Sequence, residues 1–363
     1  MKILILANND VGLYKFRREL IIKLIEMGHQ IIISLPNGEL ISNLKKLGCK
    51  FINTPIDRRG MNPFTDMKLF CCYHKIIRNI LPDIIITYTI KPNIYGGLAA
   101  RQRKIPYYVN ITGLGTAFQK ENLIKKTVIC LYKIACKRAR VLFFENKGDC
   151  QRFLTEKIAL KEHTYVLNGA GVNTQDYPFA EYPKQENSTR FLFIGRIMKE
   201  KGIDELLAAF SKLKKEESVI LDMVGPIEDM QYQEKIDKLV GLKEIHYYGF
   251  QEDVKSYIKK CHCVVLPSYH EGMANVLLEA GSMGRPLIAS KIYGCKEAIN
   301  GKNGMTIKCR DVEDLYNKMK KFVMLTYEEK QKMGMESHRY ISERFSKEKV
   351  VKETIEKIFA KGM

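Results

Sequence analysis

Two glutamates eight positions apart, Glu271 and Glu279, stand in the stretch Pro267-Ser268-Tyr269-His270-Glu271-Gly272-Met273-Ala274-Asn275-Val276-Leu277-Leu278-Glu279-Ala280-Gly281. A carboxylate only accepts hydrogen bonds and can hold two hydroxyls at once, so the pair suits a polyol ligand. One carboxylate would take sugar hydroxyls and the other a ribose diol. The run Cys263–Leu266 ahead of them reads as a strand, and a helix is expected to begin near Met273–Ala274. Backbone N–H groups around Gly272, and the positive end of that helix, suit a diphosphate. His270 can donate to the diphosphate or the sugar; local packing is its alternative role.

A second segment, Phe193-Ile194-Gly195-Arg196-Ile197-Met198-Lys199-Glu200-Lys201-Gly202, again runs strand, turn, helix. Gly195 leaves the strand and Gly202 opens the helix. Arg196 and Lys201 would then stand over the sheet edge as two fixed cations, able to neutralise charge growing on a leaving diphosphate. The sequence has no Asp-x-Asp triplet, so a metal against the diphosphate has no evident ligand. No metal or other cofactor is expected; a nucleotide sugar would enter as a substrate.

The two segments, in this order, resemble the retaining glycosyltransferase family with the two-domain GT-B fold, often called family 4. Its pattern is Gly-Arg…Lys-Gly followed by a Glu-x7-Glu element, here Glu271 and Glu279. The resemblance spans nearly the whole chain and is strongest from 190 to 290. It implies that Arg196 and Lys201 contact the diphosphate, with Asn275 and Val276 near the phosphates. It further implies that Glu271 contacts the donor sugar and Glu279 the ribose. Arg196, Lys201 and Glu271 are thus the catalytic candidates. The donor site would comprise these with Gly12, Gly195, His270, Gly272, Met273, Ala274, Asn275, Val276 and Glu279. Many relatives carry a glycine pair in the first loop; Asn8-Asn9-Asp10-Val11-Gly12 keeps one, so Gly12 alone is carried over.

The first half is similar to the branch that builds bacterial capsule, O-antigen or other surface repeat units. The matching stretches are Asp57-Arg58-Arg59-Gly60-Met61-Asn62-Pro63, Thr87-Tyr88-Thr89-Ile90-Lys91-Pro92-Asn93-Ile94-Tyr95-Gly96 and Asn110-Ile111-Thr112-Gly113-Leu114-Gly115-Thr116-Ala117-Phe118. Their acceptor-side candidates are Arg58, Arg59, Lys91, Asn110, Thr112 and Gly113. The Gly113-Leu114-Gly115 turn suits either an acceptor or the donor phosphate. Many relatives place a histidine where Asn110 stands, so a step assigned to that histidine does not carry over. Such enzymes add a hexose or N-acetylhexosamine to a sugar on undecaprenyl diphosphate, mostly from UDP-sugars. The implied reaction is a front-face substitution in which the leaving phosphate takes the acceptor proton. No histidine stands between residues 1 and 20, where inverting two-domain transferases keep a base.

The elements that must position these residues follow from periodicity. Short apolar runs alternate with amphipathic stretches, which argues for parallel α/β sheets covered by helices. Strands are expected at Ile3–Leu6, Gln30–Ser34, Phe51–Asn53, Ile84–Tyr88, Tyr107–Ile111, Val141–Phe144 and Thr164–Leu167. The pattern restarts after a polar stretch, with strands at Arg190–Ile194, Val219–Val224, Ile245–Tyr248, Cys263–Leu266 and Pro286–Ala289. Residues 1–180 would form an acceptor-binding Rossmann-like domain and 181–345 a nucleotide-sugar-binding one, facing each other across a cleft. The last helix, about 346–363, is expected to pack back on the first domain.

The chain has 363 residues, and its formal charge of +19 is uneven. Residues 1–180 hold 28 Lys and Arg against 13 Asp and Glu, a net +15. An anionic partner of that half is expected. In Glu121–Arg140, Lys126, Lys133, Lys137 and Arg140 share one helical face, with Ile124, Val128, Leu131 and Ala135 opposite. The basic face would meet anionic lipid headgroups. No apolar run approaches the roughly 20 residues that cross a bilayer, so the expected location is cytoplasmic, against the inner face of the plasma membrane. The ten cysteines include no Cys-x-x-Cys pair, which removes support for zinc or dithiol chemistry. Three rivals remain. A nucleic-acid-binding protein would suit the charge but lacks any recognition motif. A nicotinamide dehydrogenase would need Gly-x-Gly-x-x-Gly after the first strand. A sugar-nucleotide 2-epimerase would share fold and donor but use no acceptor.

Overall fold

The computed structural model describes residues 1–57, 60, 62–115, 118, 123–185 and 187–360. Contacts divide the chain into two units, Met1–Ala170 with Glu348–Met363, and Gly171–Lys347.

In the first unit, β1 (Lys2–Leu6), β2 (Gln30–Leu35), β3 (Lys50–Asn53), β4 (Ile84–Tyr88), β5 (Tyr107–Ile111), β6 (Val141–Phe144) and β7 (Thr164–Val166) form one sheet. Its order is β3-β2-β1-β4-β5-β6-β7, and every pair is parallel. Parallel neighbours need crossovers, supplied by α1 (Asp10–Glu26), α2 (Ile41–Lys46), α3 (Pro63–Ile80), α4 (Gly97–Gln102), α5 (Leu123–Cys136) and α6 (Lys147–Thr155). Leu13, Leu20, Leu24, Ile41 and Leu44 of α1 and α2 join one core. Leu69, Tyr73, Ala99, Tyr132 and Phe153 of α3 to α6 join the other. With both faces covered, β4 and β5 are buried at every residue.

In the second unit the strands are β8 (Thr189–Ile194), β9 (Val219–Val224), β10 (His246–Tyr247), β11 (Cys263–Leu266), β12 (Leu287–Ser290) and β13 (Gly304–Ile307). Their order is β10-β9-β8-β11-β12-β13, again parallel throughout. The helices are α7 (Ile203–Lys214), α8 (Gln233–Gly241), α9 (Lys255–Lys260), α10 (Asn275–Ser282), α11 (Val312–Val323) and α12 (Tyr327–Phe345). A last helix, α13 (Lys347–Phe359), packs on the first sheet, where Val350, Val351 and Ile358 enter the core beside α1. The Tyr108 hydroxyl donates to the carbonyl of Ile358 (2.6 Å).

Every strand anticipated from periodicity is present, and β13 is additional. It opens on glycine and has four residues, too few for an alternating pattern to show. The units change at Ala170/Gly171, upstream of the polar stretch around 180. Val172 pairs with Ser346, and the buried Arg285 guanidinium holds the carbonyls of Ala180 and Glu181 along with those of Ile258, Lys259, Met283 and Gly284. These contacts fasten residues 172–181 to the second unit. His262 is a core residue, 5% exposed, and its Nδ1 accepts from the Arg190 N–H.

On α5 the buried stripe is Lys125, Ile129, Tyr132, Ala135 and Cys136. The expected stripe of Ile124, Val128 and Leu131 is rotated, and these three are only half-buried. The reason is Tyr132, whose ring stacks edge-on to Phe153 and sets the inward direction. Lys126, Lys133, Lys137 and Arg140 are exposed, as their spacing suggests.

Candidate active site

In an open parallel sheet, ligands bind beyond the carboxyl ends of two adjacent strands from which the chain leaves in opposite directions. The second sheet has that point between β8 and β11, neighbours registered at Cys263 with Phe191. The loop after β8 carries Arg196 and Lys201, and the loop after β11 carries His270, Glu271 and the start of α10.

Glycines let these loops touch backbone to backbone. Gly202 adopts φ +70°, and a Cβ there would lie 2.2 Å from the carbonyl oxygen of Pro267. Gly225, after β9, adopts φ +137°, and a Cβ would lie 1.9 Å from the Gly195 carbonyl. Gly294, after β12, faces the carbonyls of Glu271 and Gly272 at 2.6 and 2.7 Å from its virtual Cβ. The Tyr269 N–H donates to the Glu200 carbonyl and the Ala274 N–H to that of Gly294 (2.8 Å each). The Tyr269 hydroxyl closes on both Glu205 oxygens of α7. Four loops are thereby fixed at one sheet edge.

Within this frame Lys201 Nζ donates to Glu271 Oε1 across 2.5 Å, with both side chains largely buried. Arg196 Nη1 donates to Glu228 Oε2, also at 2.5 Å, and its side chain is half exposed. The two cations therefore each hold a carboxylate, one buried and one at the surface. Helix α10 starts at Asn275 with Ala274 before it and no side-chain cap. Its first-turn backbone is thus not closed by a neighbouring hydroxyl or carboxylate. The Asn275 Oδ1 is buried without a hydrogen-bond partner. Gly272, Met273 and Val276 flank this start. Glu279 lies four residues into the helix, just over one turn, and burial, then the charge of Glu279, pushes the ionisation of the Tyr177 phenol up. Burial, then Arg310, pushes His270 below the usual histidine range, which keeps its imidazole neutral at neutral pH.

In the first unit the equivalent point lies between β1 and β4. Gly12 sits in the first turn of α1, where its N–H donates to the capping Asn9 Oδ1 (2.5 Å). A side chain at Gly12 would strike that same oxygen at 2.9 Å. Its absent side chain thus makes room for the cap. Lys91 Nζ donates to Asp66 Oδ1 (2.6 Å), and Asp66 Oδ2 accepts from the Tyr95 hydroxyl (2.8 Å). Just before it, the β-branched Thr89 is held at φ +70°, a strained backbone of the kind found in functional loops. Asn110 is 4% exposed inside β5; its side-chain amide donates to the Thr87 carbonyl, and its backbone carbonyl accepts from the Asn93 side chain. That side chain is committed to the sheet. Thr112 and Gly113, the latter at φ +128°, follow the strand. Arg58 and Arg59 lie outside the described residues.

Sequence reasoning passed over Glu228, Tyr177, Glu205, Gly225 and Gly294. Gly225 and Gly294 each follow an apolar run, which was an available signal. The others are contacts between distant segments, with no local signature.

The chain matches the family model of glycosyl transferases group 1 over residues 175–339, and that of glycosyl transferase 4-like domains over residues 2–146. It belongs to this glycosyltransferase family. A Campylobacter jejuni N,N'-diacetylbacillosaminyl-diphospho-undecaprenol alpha-1,3-N-acetylgalactosaminyltransferase is 29% identical over 88% of each chain. An Escherichia coli UDP-Gal:alpha-D-GlcNAc-diphosphoundecaprenol alpha-1,3-galactosyltransferase is 28% identical over 71% of each. A glycosyltransferase from Rickettsia africae superposes with a TM-score of 0.83 at 20% identity, covering 99% of both chains. The glycosyltransferase therefore has the GT-B fold, and its Gly-Arg…Lys-Gly and Glu-x7-Glu segments flank the switch point of its second sheet. Among the described residues, no group of three or more His, Cys, Asp or Glu is placed to hold a metal ion, and no helix is long and apolar enough to cross a membrane.

Proposed function

We propose that this glycosyltransferase moves a hexose or N-acetylhexosamine, with retention and without a metal, from a UDP-sugar to a sugar on polyprenyl diphosphate. The acceptor class comes from the C. jejuni and E. coli relatives, both named for undecaprenyl-diphosphate-linked acceptors. Retention and UDP rest on the latter, whose name pairs a UDP-Gal donor, an α-configured sugar nucleotide, with an α-1,3 product. The setting would be assembly of a bacterial surface polysaccharide.

The observation that carries the donor site is Lys201 held against Glu271 beside the uncapped start of α10. Lys201 and Arg196 would stabilise the diphosphate as charge grows on it, Glu271 would accept from the donor sugar, and Glu279 from the ribose. Neutral His270 would donate a hydrogen bond without adding charge. On the acceptor side, Lys91, oriented by Asp66, would face the lipid diphosphate near Thr112 and Gly113.

The first unit would rest on the cytoplasmic leaflet. Helices α3 and α5 expose Lys68, Lys75, Arg78, Lys126 and Lys133, and their one carboxylate, Asp66, is taken by Lys91 and Tyr95. Phe64, Met67 and Leu123 are 81%, 60% and 79% exposed at the starts of the same helices. Cations among exposed apolar side chains fit an anionic lipid surface better than nucleic acid.

Thermal-shift measurements against UDP, GDP and ADP in EDTA test the donor assignment: a selective rise with UDP is expected. Transfer from UDP-sugars to a synthetic polyprenyl-diphosphate sugar, with the product anomer read by NMR, tests the rest. A β-linked product would overturn retention.

A further inference from the structure

We infer that Tyr95 is a positioning residue that, through Asp66, fixes the Lys91 ammonium toward the diphosphate of the lipid-linked acceptor. The inference rests on the proposed acceptor contact of Lys91.

Lys91 directly precedes a single π-helical turn, Pro92–Gly96, and Tyr95 stands near its end. Such turns are rare and often occur at functional sites. Here the two side chains meet on one carboxylate. Lys91 Nζ donates to Asp66 Oδ1 (2.6 Å), and the Tyr95 hydroxyl donates to Asp66 Oδ2 (2.8 Å). Each oxygen has its own donor, so the carboxylate cannot turn without breaking one of the two bonds. A lysine head on its four-carbon stem is otherwise free to wander.

The turn itself is fastened by the buried Asn93. Its N–H donates to the Thr89 carbonyl (2.9 Å), its Oδ1 accepts from the Thr87 hydroxyl (2.7 Å), and its Nδ2 donates to the Asn110 carbonyl (2.9 Å). A Cβ at Gly96 would lie 2.4 Å from Leu6 Cδ1, so the turn sits directly on the sheet. Asp66 belongs to the first turn of α3, between Phe64 and Met67, the exposed apolar side chains proposed to enter the lipid. Lys91 is thereby held at the level where the diphosphate of a lipid meets the protein. One N–H of its ammonium goes to Asp66, and among the described residues nothing takes the other two. The side chain keeps 14% exposure, which leaves a phosphate access to them.

Tyr95→Phe removes the hydroxyl and keeps the ring. The test is calorimetric titration of the full chain, Tyr95→Phe, Lys91→Gln and the double variant with geranyl diphosphate, in EDTA and with saturating UDP to occupy the donor site. Unliganded unfolding of all four proteins verifies an intact fold. Lys91→Gln is expected to weaken binding by roughly 10- to 100-fold and Tyr95→Phe by roughly fivefold. In the double variant the tyrosine change is expected to add nothing, because the hydroxyl acts only through Lys91. Tyr95→Phe binding like the wild type, or a double variant losing both factors in full, overturns the role of Tyr95 and leaves the Lys91 contact standing. A wild type that does not bind, or Lys91→Gln that binds equally well, overturns the Lys91 contact and this inference with it.

Discussion

Lys201 and Glu271 meet across 2.5 Å although 70 residues separate them, and their contact ties the loop after β8 to the loop after β11. The pair is largely buried, so the two charges do not simply dissolve into solvent. Removing either partner leaves the other uncompensated, yet the ligand groups proposed for them differ.

That difference is measurable. Lys201→Ala is expected to weaken UDP binding by roughly 10- to 100-fold, the worth of a charge-assisted contact. Glu271→Gln is expected to leave UDP affinity within about threefold and to lower kcat/KM for transfer by roughly 100-fold. Titration with UDP beside a transfer assay separates the two. Equal losses of UDP affinity in both variants would sink the division of roles.

Gly225→Ala is expected to destabilise the chain by about 2–4 kcal/mol, combining left-handed strain with a clash against the Gly195 carbonyl. Gly241→Ala, at the end of α8 with nothing near its virtual Cβ, is the control. It is expected to be neutral or to stabilise by up to about 1 kcal/mol. Urea denaturation compares them.

His270 is held below its ordinary value of 6.5 by burial and Arg310. The unfolded chain therefore binds this proton first as the pH falls. Stability from this residue is complete above that value and is lost as the pH drops through the window beneath it. His270→Asn should accordingly lose less in unfolding midpoint than the wild type between pH about 7.5 and about 5.5. Parallel pH profiles for the two proteins would contradict it.

The membrane reading predicts that the chain sediments with vesicles containing phosphatidylglycerol and not with pure phosphatidylcholine, and less so as salt rises. Lys126→Glu with Lys133→Glu should abolish the preference. Phe64→Ser with Leu123→Ser should weaken binding by roughly tenfold or more while leaving UDP affinity unchanged. Vesicle binding that ignores both changes would place the contact elsewhere.

Local chemistry is written in consecutive residues, and there the sequence is a sufficient guide. Runs such as Ile84–Tyr88 and Val219–Val224 are strands because their apolar residues must be covered on both faces. The Gly-Arg…Lys-Gly and Glu-x7-Glu segments suggest a diphosphate and a polyol because charge type and spacing are local properties.

Tertiary structure decided the partners. Nothing near Tyr269 in the chain foretells Glu205, nor does anything near Arg196 foretell Glu228. Asn110 stands after an apolar run and looked available to an acceptor, but the pairing of β4 with β5 turns its amide onto the Thr87 carbonyl. At Gly12, carried over to the donor site by resemblance alone, the structure adds that the missing side chain leaves room for the Asn9 cap. The inward face of α5 was set by Phe153, a residue of another helix. The physical reason is common to all of these. Periodicity tells a side chain which way it faces on its own element, whereas its hydrogen-bond partner is whatever group the packing of distant segments brings within about 3 Å.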